Sequence, residues 1–390
     1  MLNRLIFFII CAAIVLTTLL YGGVHQPILA LFYLAAALIL LLWAIDGFVG
    51  GRVRLSRSLL QIPLLAAIVL GVIQIIPLGG LSETAGVDRI ARTISYEPFA
   101  TQTAVAHFIA LLIFFAAALA YIDDAKRLRK IVTVLTVFGF VYAFYSILQA
   151  VLSPGKIYGI YEPRFATPFG SFVNRNNFAA FMEMAIALPL GLLFSGAVGR
   201  DKRLLYVTAV GLMGLALIMS GSRGGLFVLL AEIFFLIILT TPARSYGQIV
   251  FKIGLSGALL ATVIAGAVLI GGESSLTRLA ETAASDDITT NRTHIWNVTL
   301  GVIKDNFLVG AGLGAYPQAY TLYDTLSGME RVEQAHNDYL QVLADGGIVG
   351  LLIAGAFTFL LFRDGVKNIR VHNAFRRGVA VGALTGCFAI

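Results

Sequence analysis

The chain has 390 residues, 58% of them hydrophobic and 13% charged, with a mean hydropathy of +0.88. Soluble domains run at about 45–50% apolar and 25% charged residues, so a water-soluble globule is excluded and the expected solvent is a lipid bilayer. The net charge of +7 does not point to nucleic acid, because the basic residues sit in short stretches between apolar runs rather than along one stripe.

A crossing of the hydrocarbon layer needs about 20 mostly apolar residues. Such runs predict helices over 5–21, 27–46, 59–78, 103–122, 131–152, 177–198, 204–220, 225–240, 252–271 and 347–362, and an eleventh begins at Gly378. The first run follows Arg4 and ends in Leu19, Leu20, Tyr21 and Gly22, without the small residues of a cleavage site, so it reads as an uncleaved spanning helix. Cys11 and Cys387 both fall in apolar runs, which leaves neither a disulfide framework nor a thiolate metal site. The eleventh run holds about 13 residues before Ile390, short of a crossing, so the bundle is expected to continue. The predicted fold is all-α, a polytopic transmembrane helix bundle. Helices one to nine occupy 1–271, a long loop 272–346, and helices ten and eleven 347–390.

The basic residues orient this bundle, since cytoplasmic loops carry the excess of Lys and Arg. With a cytoplasmic N-terminus, Arg4 and the clusters at 52–57, 126–130, 200–203 and 363–377 all fall inside. The segment 272–346 then lies outside. It is far longer than the usual connection of a few residues, is rich in Thr, Asp, Asn and Gly, and contains an amphipathic stretch over 293–304. Long loops on a rigid scaffold are where function tends to sit.

Arginines on the outer side run against the charge bias and need a reason. Arg223 lies in Ser220-Gly221-Ser222-Arg223-Gly224-Gly225, a tight turn between helices seven and eight. Its fork suits phosphate oxygens in bidentate fashion, or it snorkels to lipid headgroups. Arg292, in Thr289-Thr290-Asn291-Arg292-Thr293, stands at the start of the amphipathic stretch, where a helix N-terminus favours anions; an ordinary solvated arginine is the other reading.

His336 shares a helical face with Leu340, Leu343 and Gly347 and would crown the face entering the bundle. The positive end of a helix dipole favours neutral imidazole, the form a general base needs; a capping histidine is the competing reading. Gly346, Gly347 and Gly350 would allow close helix packing just below. His25, His107, His294 and His372 are weaker candidates, and no pair has the spacing of a zinc site. Glu183 and Glu232 fall inside apolar runs, either as a proton relay or, the favoured reading, each paired with an arginine. The run Gly310-Ala311-Gly312-Leu313-Gly314 has neither the preceding strand nor the following Lys-Ser/Thr of a nucleotide loop.

Together these pieces resemble the O-antigen ligase-related family of bacterial envelope glycosyltransferases, over most of the chain and most sharply after Arg164. Asn174-Arg175-Asn176-Asn177 looks like the family's helix entry, Ser222-Arg223-Gly224 like its arginine turn, and Arg292 with Trp296 and the glycine run like its long loop. The most specific match is His336-Asn337, nine residues, Gly347, two residues and Gly350, the pattern of family ligases.

The resemblance implies transfer of a glycan from a polyprenyl diphosphate carrier to an acceptor hydroxyl, on the periplasmic face of the bacterial inner membrane. It implies His336, Arg223 and Arg292 as catalytic residues, with Asn337, Arg175, Asn176 and Arg331 binding substrate, and no metal or other cofactor. The acceptor would be the lipid A–core, with polysaccharide polymerase and protein O-oligosaccharyltransferase as sister activities. A transporter or flippase with Glu183 and Glu232 on its path, or a scaffold for envelope assembly, would be the readings outside the family. The family's usual complement of spanning helices is about twelve, one or two beyond the visible runs.

Overall fold

The computed structural model describes residues 2–78, 92–164, 166–240, 292–326 and 331–389, with isolated positions between 246 and 265. Every regular element among them is helical, as the apolar runs predict, since only helices satisfy all their own backbone groups in lipid with no partner strand. In order these are α1 Leu2–Leu19, α2 Gln26–Gly50, α3 Gln61–Gln74, α4 Pro98–Tyr121, α5 Ala125–Leu152 and α6 Arg175–Phe194. There follow α7 Arg203–Met219, α8 Arg223–Thr240, α9 Arg292–Asp305, α10 Tyr316–Tyr323, α11 Asp338–Ile369 and α12 Ala374–Phe388. Among the described residues, eight helices are long and apolar enough to cross a membrane. The predicted helix over 252–271 lies outside the described residues except for a few isolated positions.

Several predicted helices differ in extent: α4 and α5 start about one to two turns earlier than expected, at Pro98 and Ala125, and α6 ends earlier, at Phe194. The third, expected over 59–78, is the shorter α3, which ends at Gln74 ahead of Pro77. The tenth, expected over 347–362, starts nine residues earlier at Asp338 and runs on to Ile369. Its polar first turns hid the start, and Asn337 caps it by accepting from the Tyr339 and Leu340 amides at 3.1 and 3.2 Å.

The chain divides into two compact units. The first comprises 1–6, 33–121 and 286–361, and the second 7–32, 122–285 and 362–390. In the first, α9 lays Ile295, Val298, Thr299, Val302 and Ile303 along one face, the spacing of an amphipathic helix. That face packs on Tyr316, Ala319 and Tyr320 of α10 and on Ala335 and Ala344. Thr299 Oγ1 meets the Tyr316 hydroxyl at 2.8 Å inside this core.

In the second unit, Tyr142, Phe178, Met182, Ile186, Leu190, Met213 and Leu217 form the core of α5, α6 and α7. Helix α12 joins it by a stripe of small residues. A Cβ on Gly191 would stand 2.5 Å from the Gly378 carbonyl oxygen, and one on Gly382 2.6 Å from that of Ala187. Backbones this close replace the hydrophobic drive that lipid cannot supply.

Candidate functional site

In the first unit the residues around His336 are held by bonds from distant parts of the chain. The segment ahead of α11 turns sharply at His336, whose φ of +52° lies in the left-handed region, a conformation histidine adopts more readily than bulkier residues. The preceding residue, Ala335, is fully buried and fixed at both ends. Its N–H donates to Gln341 Oε1 at 2.8 Å, and its carbonyl accepts from Trp296 Nε1 at 3.0 Å. Gln341 in turn donates to Asp345 Oδ2 at 3.0 Å. The capping role goes to Asn337, so the imidazole is not consumed as a cap and remains open to solvent.

Partial burial, and secondarily the positive charge of Arg292, hold the His336 imidazole below the ordinary histidine pKa. The neutral form is therefore favoured, as the helix-start reading expected, though through burial and an arginine. Arg292 is the first residue of α9, at the positive end of that helix. A guanidinium at a helix N-terminus, electrostatically coupled to a neutral imidazole, is chemically suited to an anion beside a base. His294, two residues along α9, is taken up by Asp324 at 2.9 Å. Arg331 lies on the surface and pairs with Glu333 at 2.9 Å.

Below this loop α11 is interrupted at Gly347, with φ +61° and ψ −160°, a combination essentially confined to glycine. The freed backbone groups are taken up by the segment 307–312. The Ala311 and Gly312 amides donate to the Ala344 and Asp345 carbonyls at 2.8 and 3.1 Å. The Ile348 and Val349 amides donate to Phe307 and Leu308 at 2.8 and 3.2 Å. A Cβ at Gly310 would fall 2.3 Å from the Asp345 carbonyl carbon and oxygen. The glycine run 310–314 is thus a splint for the break in α11, and Gly347 serves the break rather than the close helix packing expected of it.

Gln74, fully buried at the end of α3, ties the splint down. Its amide nitrogen donates to the Val309 and Asp345 carbonyls at 2.6 and 2.9 Å, and its oxygen accepts from the Leu313 amide at 2.9 Å. Sequence reading missed Gln74, and also Gln341 and Asp345. Gln74 is a lone polar residue in an apolar run, and Gln341 and Asp345 are an i, i+4 pair; these were the available signals. An apolar cavity of ≈390 Å³ between α3, α4 and α11 reaches Gln341 and Asp345 at its polar end.

The second unit holds Arg223, Arg175 and Asn176. Arg223 is the first residue of α8, after a turn in which Gly221 has φ +71°. Ser222 caps the helix, its Oγ accepting from the Gly225 amide at 3.2 Å. Arg175 is the first residue of α6, where Asn174 Oδ1 accepts from the Asn176 amide at 2.8 Å. Asn176 is exposed. Arg175, Ser220 and Gly221 line one polar cavity of ≈160 Å³, which brings the α6 entry to the turn that precedes Arg223.

Glu183 and Glu232 are both buried in this unit. The arginine pairing expected for each is not found at Glu232, whose two carboxyl oxygens have no hydrogen-bond partner among the described residues. Arg223 lies nine residues earlier on α8, about 13 Å along the axis, too far for a direct pair within that helix.

Residues 208–355 match the model of a protein family described as O-antigen ligase. The match contains Arg223, Arg292, Arg331, His336, Asn337, Gly347 and Gly350, and leaves Arg175 and Asn176 outside it. A comparison with curated proteins finds no match.

Proposed function

From the O-antigen ligase segment that residues 208–355 carry, we propose that the protein transfers a glycan from a polyprenyl diphosphate to an acceptor hydroxyl, with inversion at the anomeric carbon. The observation that carries this reading is the His336 turn: a solvent-open imidazole whose pKa is held below the ordinary histidine value by partial burial and Arg292, on a backbone pinned by Trp296 and Gln341. His336 accepts the proton of the acceptor hydroxyl as its oxygen attacks the anomeric carbon. The bond from that carbon to the diphosphate breaks on the opposite face, and its electron pair leaves with the diphosphate. The leaving group is already a stable anion, so it calls for cations more than for a proton donor. In this reading Arg292 and Arg223 supply them. Asn337, Arg175, Asn176 and Arg331 contribute to substrate binding in this reading.

The sequence has no Asp-x-Asp metal–nucleotide motif, which agrees with a lipid-linked donor and metal-independent transfer. With the basic loops inside, the reaction takes place on the periplasmic side of the bacterial inner membrane, and the lipid A–core is the acceptor. The interruption of α11 also suits a transporter, where broken helices hold ions. Its freed backbone groups are bonded to 307–312 rather than left facing a cavity, which favours transfer.

The test is transfer from a polyprenyl diphosphate glycan to lipid A–core by purified protein, with a chelator present. His336→Ala should lower the rate about 10²–10⁴-fold, the range of a lost general base, with folding intact. Undiminished transfer by a folded His336→Ala protein overturns the assignment. Chain elongation or protein glycosylation in place of core ligation would retain the chemistry and reassign the acceptor.

A further inference from the structure

We propose that the second unit carries a subsite for an acidic sugar residue, in which a tyrosine wall stacks on the pyranose ring and Lys156 with Arg175 binds its carboxylate or phosphate substituent. It deepens the glycan-transfer reading above, on which it rests, and concerns residues outside the matched segment. The site lies at the C-terminal end of α5, the end opposite the basic residues at 126–130. The polar cavity there is lined by Gln149, Ser153, Lys156, Thr167, Arg175 and Ser220 among others, with two cations and no Asp or Glu in its lining. At ≈160 Å³ it admits about one sugar ring or substituent.

Beside this cavity five rings from three parts of the chain converge. Tyr21 meets His25, Tyr161 and Tyr158 edge to face, at centroid distances of 5.1, 5.4 and 5.9 Å. Tyr145 lies 5.8 Å from Tyr158. Tyr158 and Tyr161 keep 40% and 37% of their surface exposed, so the wall is open to a ligand. A pyranose presents a face of C–H groups that suits the negative face of an aromatic ring.

Gln149 joins the wall to the cavity. Its amide nitrogen donates to the Lys156 and Gly170 carbonyls at 2.9 and 2.7 Å, and its oxygen accepts from the Tyr158 amide and the Tyr145 hydroxyl. Tyr21 and Tyr158 both have left-handed backbones, φ +58° and +55°, costly for bulky residues and a mark of positions held for function. Tyrosines of a membrane-interface belt lie at headgroup level around the whole bundle. Here they are gathered into one cluster around a shared polar hub and a cationic cavity, the arrangement of a saccharide site.

The experiment uses the full chain bearing His336→Ala in nanodiscs of zwitterionic lipid, with trigalacturonate and maltotriose as probes and saturation-transfer NMR as readout. Trigalacturonate should bind, maltotriose more weakly. Lys156→Gln and Tyr158→Ala should each weaken trigalacturonate at least tenfold, while Tyr158→Phe, which keeps the ring, should retain it. Absence of trigalacturonate binding, or binding unchanged by Lys156→Gln, overturns the proposal. So does its full displacement by phosphatidylglycerol added to the nanodiscs, which would make this a headgroup site. Because binding is read in a His336→Ala background, failure of the catalytic assignment leaves this result readable on its own.

Discussion

At the Arg223 turn the serine side chains shape the backbone through bonds two or three residues along the chain, from Ser220 to Leu217 and Ser222 and from Ser222 to Gly225. Around His336 local bonds from Asn337 and Gln341 are joined by others from far away: Trp296 to Ala335, and Gln74 to Val309, Leu313 and Asp345. Both regions present an arginine at a helix start, at Arg223 and at Arg292. One is a local turn that a short peptide motif specifies. The other is an assembly of a turn, a splint and an interrupted helix, in which each part is in place only if the others are. The cation can be set by a motif, whereas the base and its surroundings require the folded unit.

The largest loss is expected at the interruption of α11. Gly347→Ala puts a Cβ 2.5 Å from the Leu308 carbonyl in a backbone region that alanine avoids. A loss of about 3 kcal/mol is expected, seen as a lower thermal midpoint together with lost transfer activity. Gly224→Ala, at a position with nothing within 4 Å, should change stability by no more than about 0.5 kcal/mol. Equal losses for the two would mean that the break in α11 is no more constrained than the first turn of α8.

Next in size is Gln74→Leu, which leaves buried backbone groups at 309, 313 and 345 short of a partner. It should cost about 2–3 kcal/mol and loosen His336 although it lies far from it in sequence. Hydrogen exchange of the 307–313 amides is the direct readout, and unchanged protection there would refute the splint. Ser222→Ala removes only a helix cap and should cost about 1 kcal/mol, with the first-turn amides of α8 alone exchanging faster.

The smallest effect is a shift along the pH axis. His336 sits below its ordinary pKa, first through burial and then through Arg292. The neutral base therefore persists to lower pH, and the acidic limb of kcat/KM lies below the ordinary histidine range. Arg292→Ala removes one of the two causes, so the imidazole pKa rises and that limb moves to higher pH. A limb that stays in place or moves down would separate Arg292 from His336.

Much of the molecule was legible from its residues. The apolar runs located the spanning helices of the described residues because burial in lipid demands a continuous apolar segment. The amphipathic stretch became α9 over Arg292–Asp305. The spacing from His336-Asn337 to Gly347 and Gly350 marked the loop from which α11 starts. The reading fell short where a residue's role depends on its partner. Gln74 passed unmarked inside the helix expected over 59–78, and its three side-chain bonds go to residues more than two hundred positions away. Gly347 looked like a packing glycine, and its φ of +61° shows a backbone break.

The residues alone were enough for the all-helical membrane class, the places of the spanning helices, and which cations and which histidine stand at helix starts. These follow from hydropathy and capping, which act over one or two turns. Only packing between distant segments clamps Ala335 from both sides, braces the interrupted helix with the glycine run, and brings Tyr21 against Tyr158, which Gln149 ties to Tyr145. Those arrangements depend on hydrogen bonds and ring contacts between segments distant along the chain. Such pairings leave no periodicity in a single sequence, and they form only when the units close.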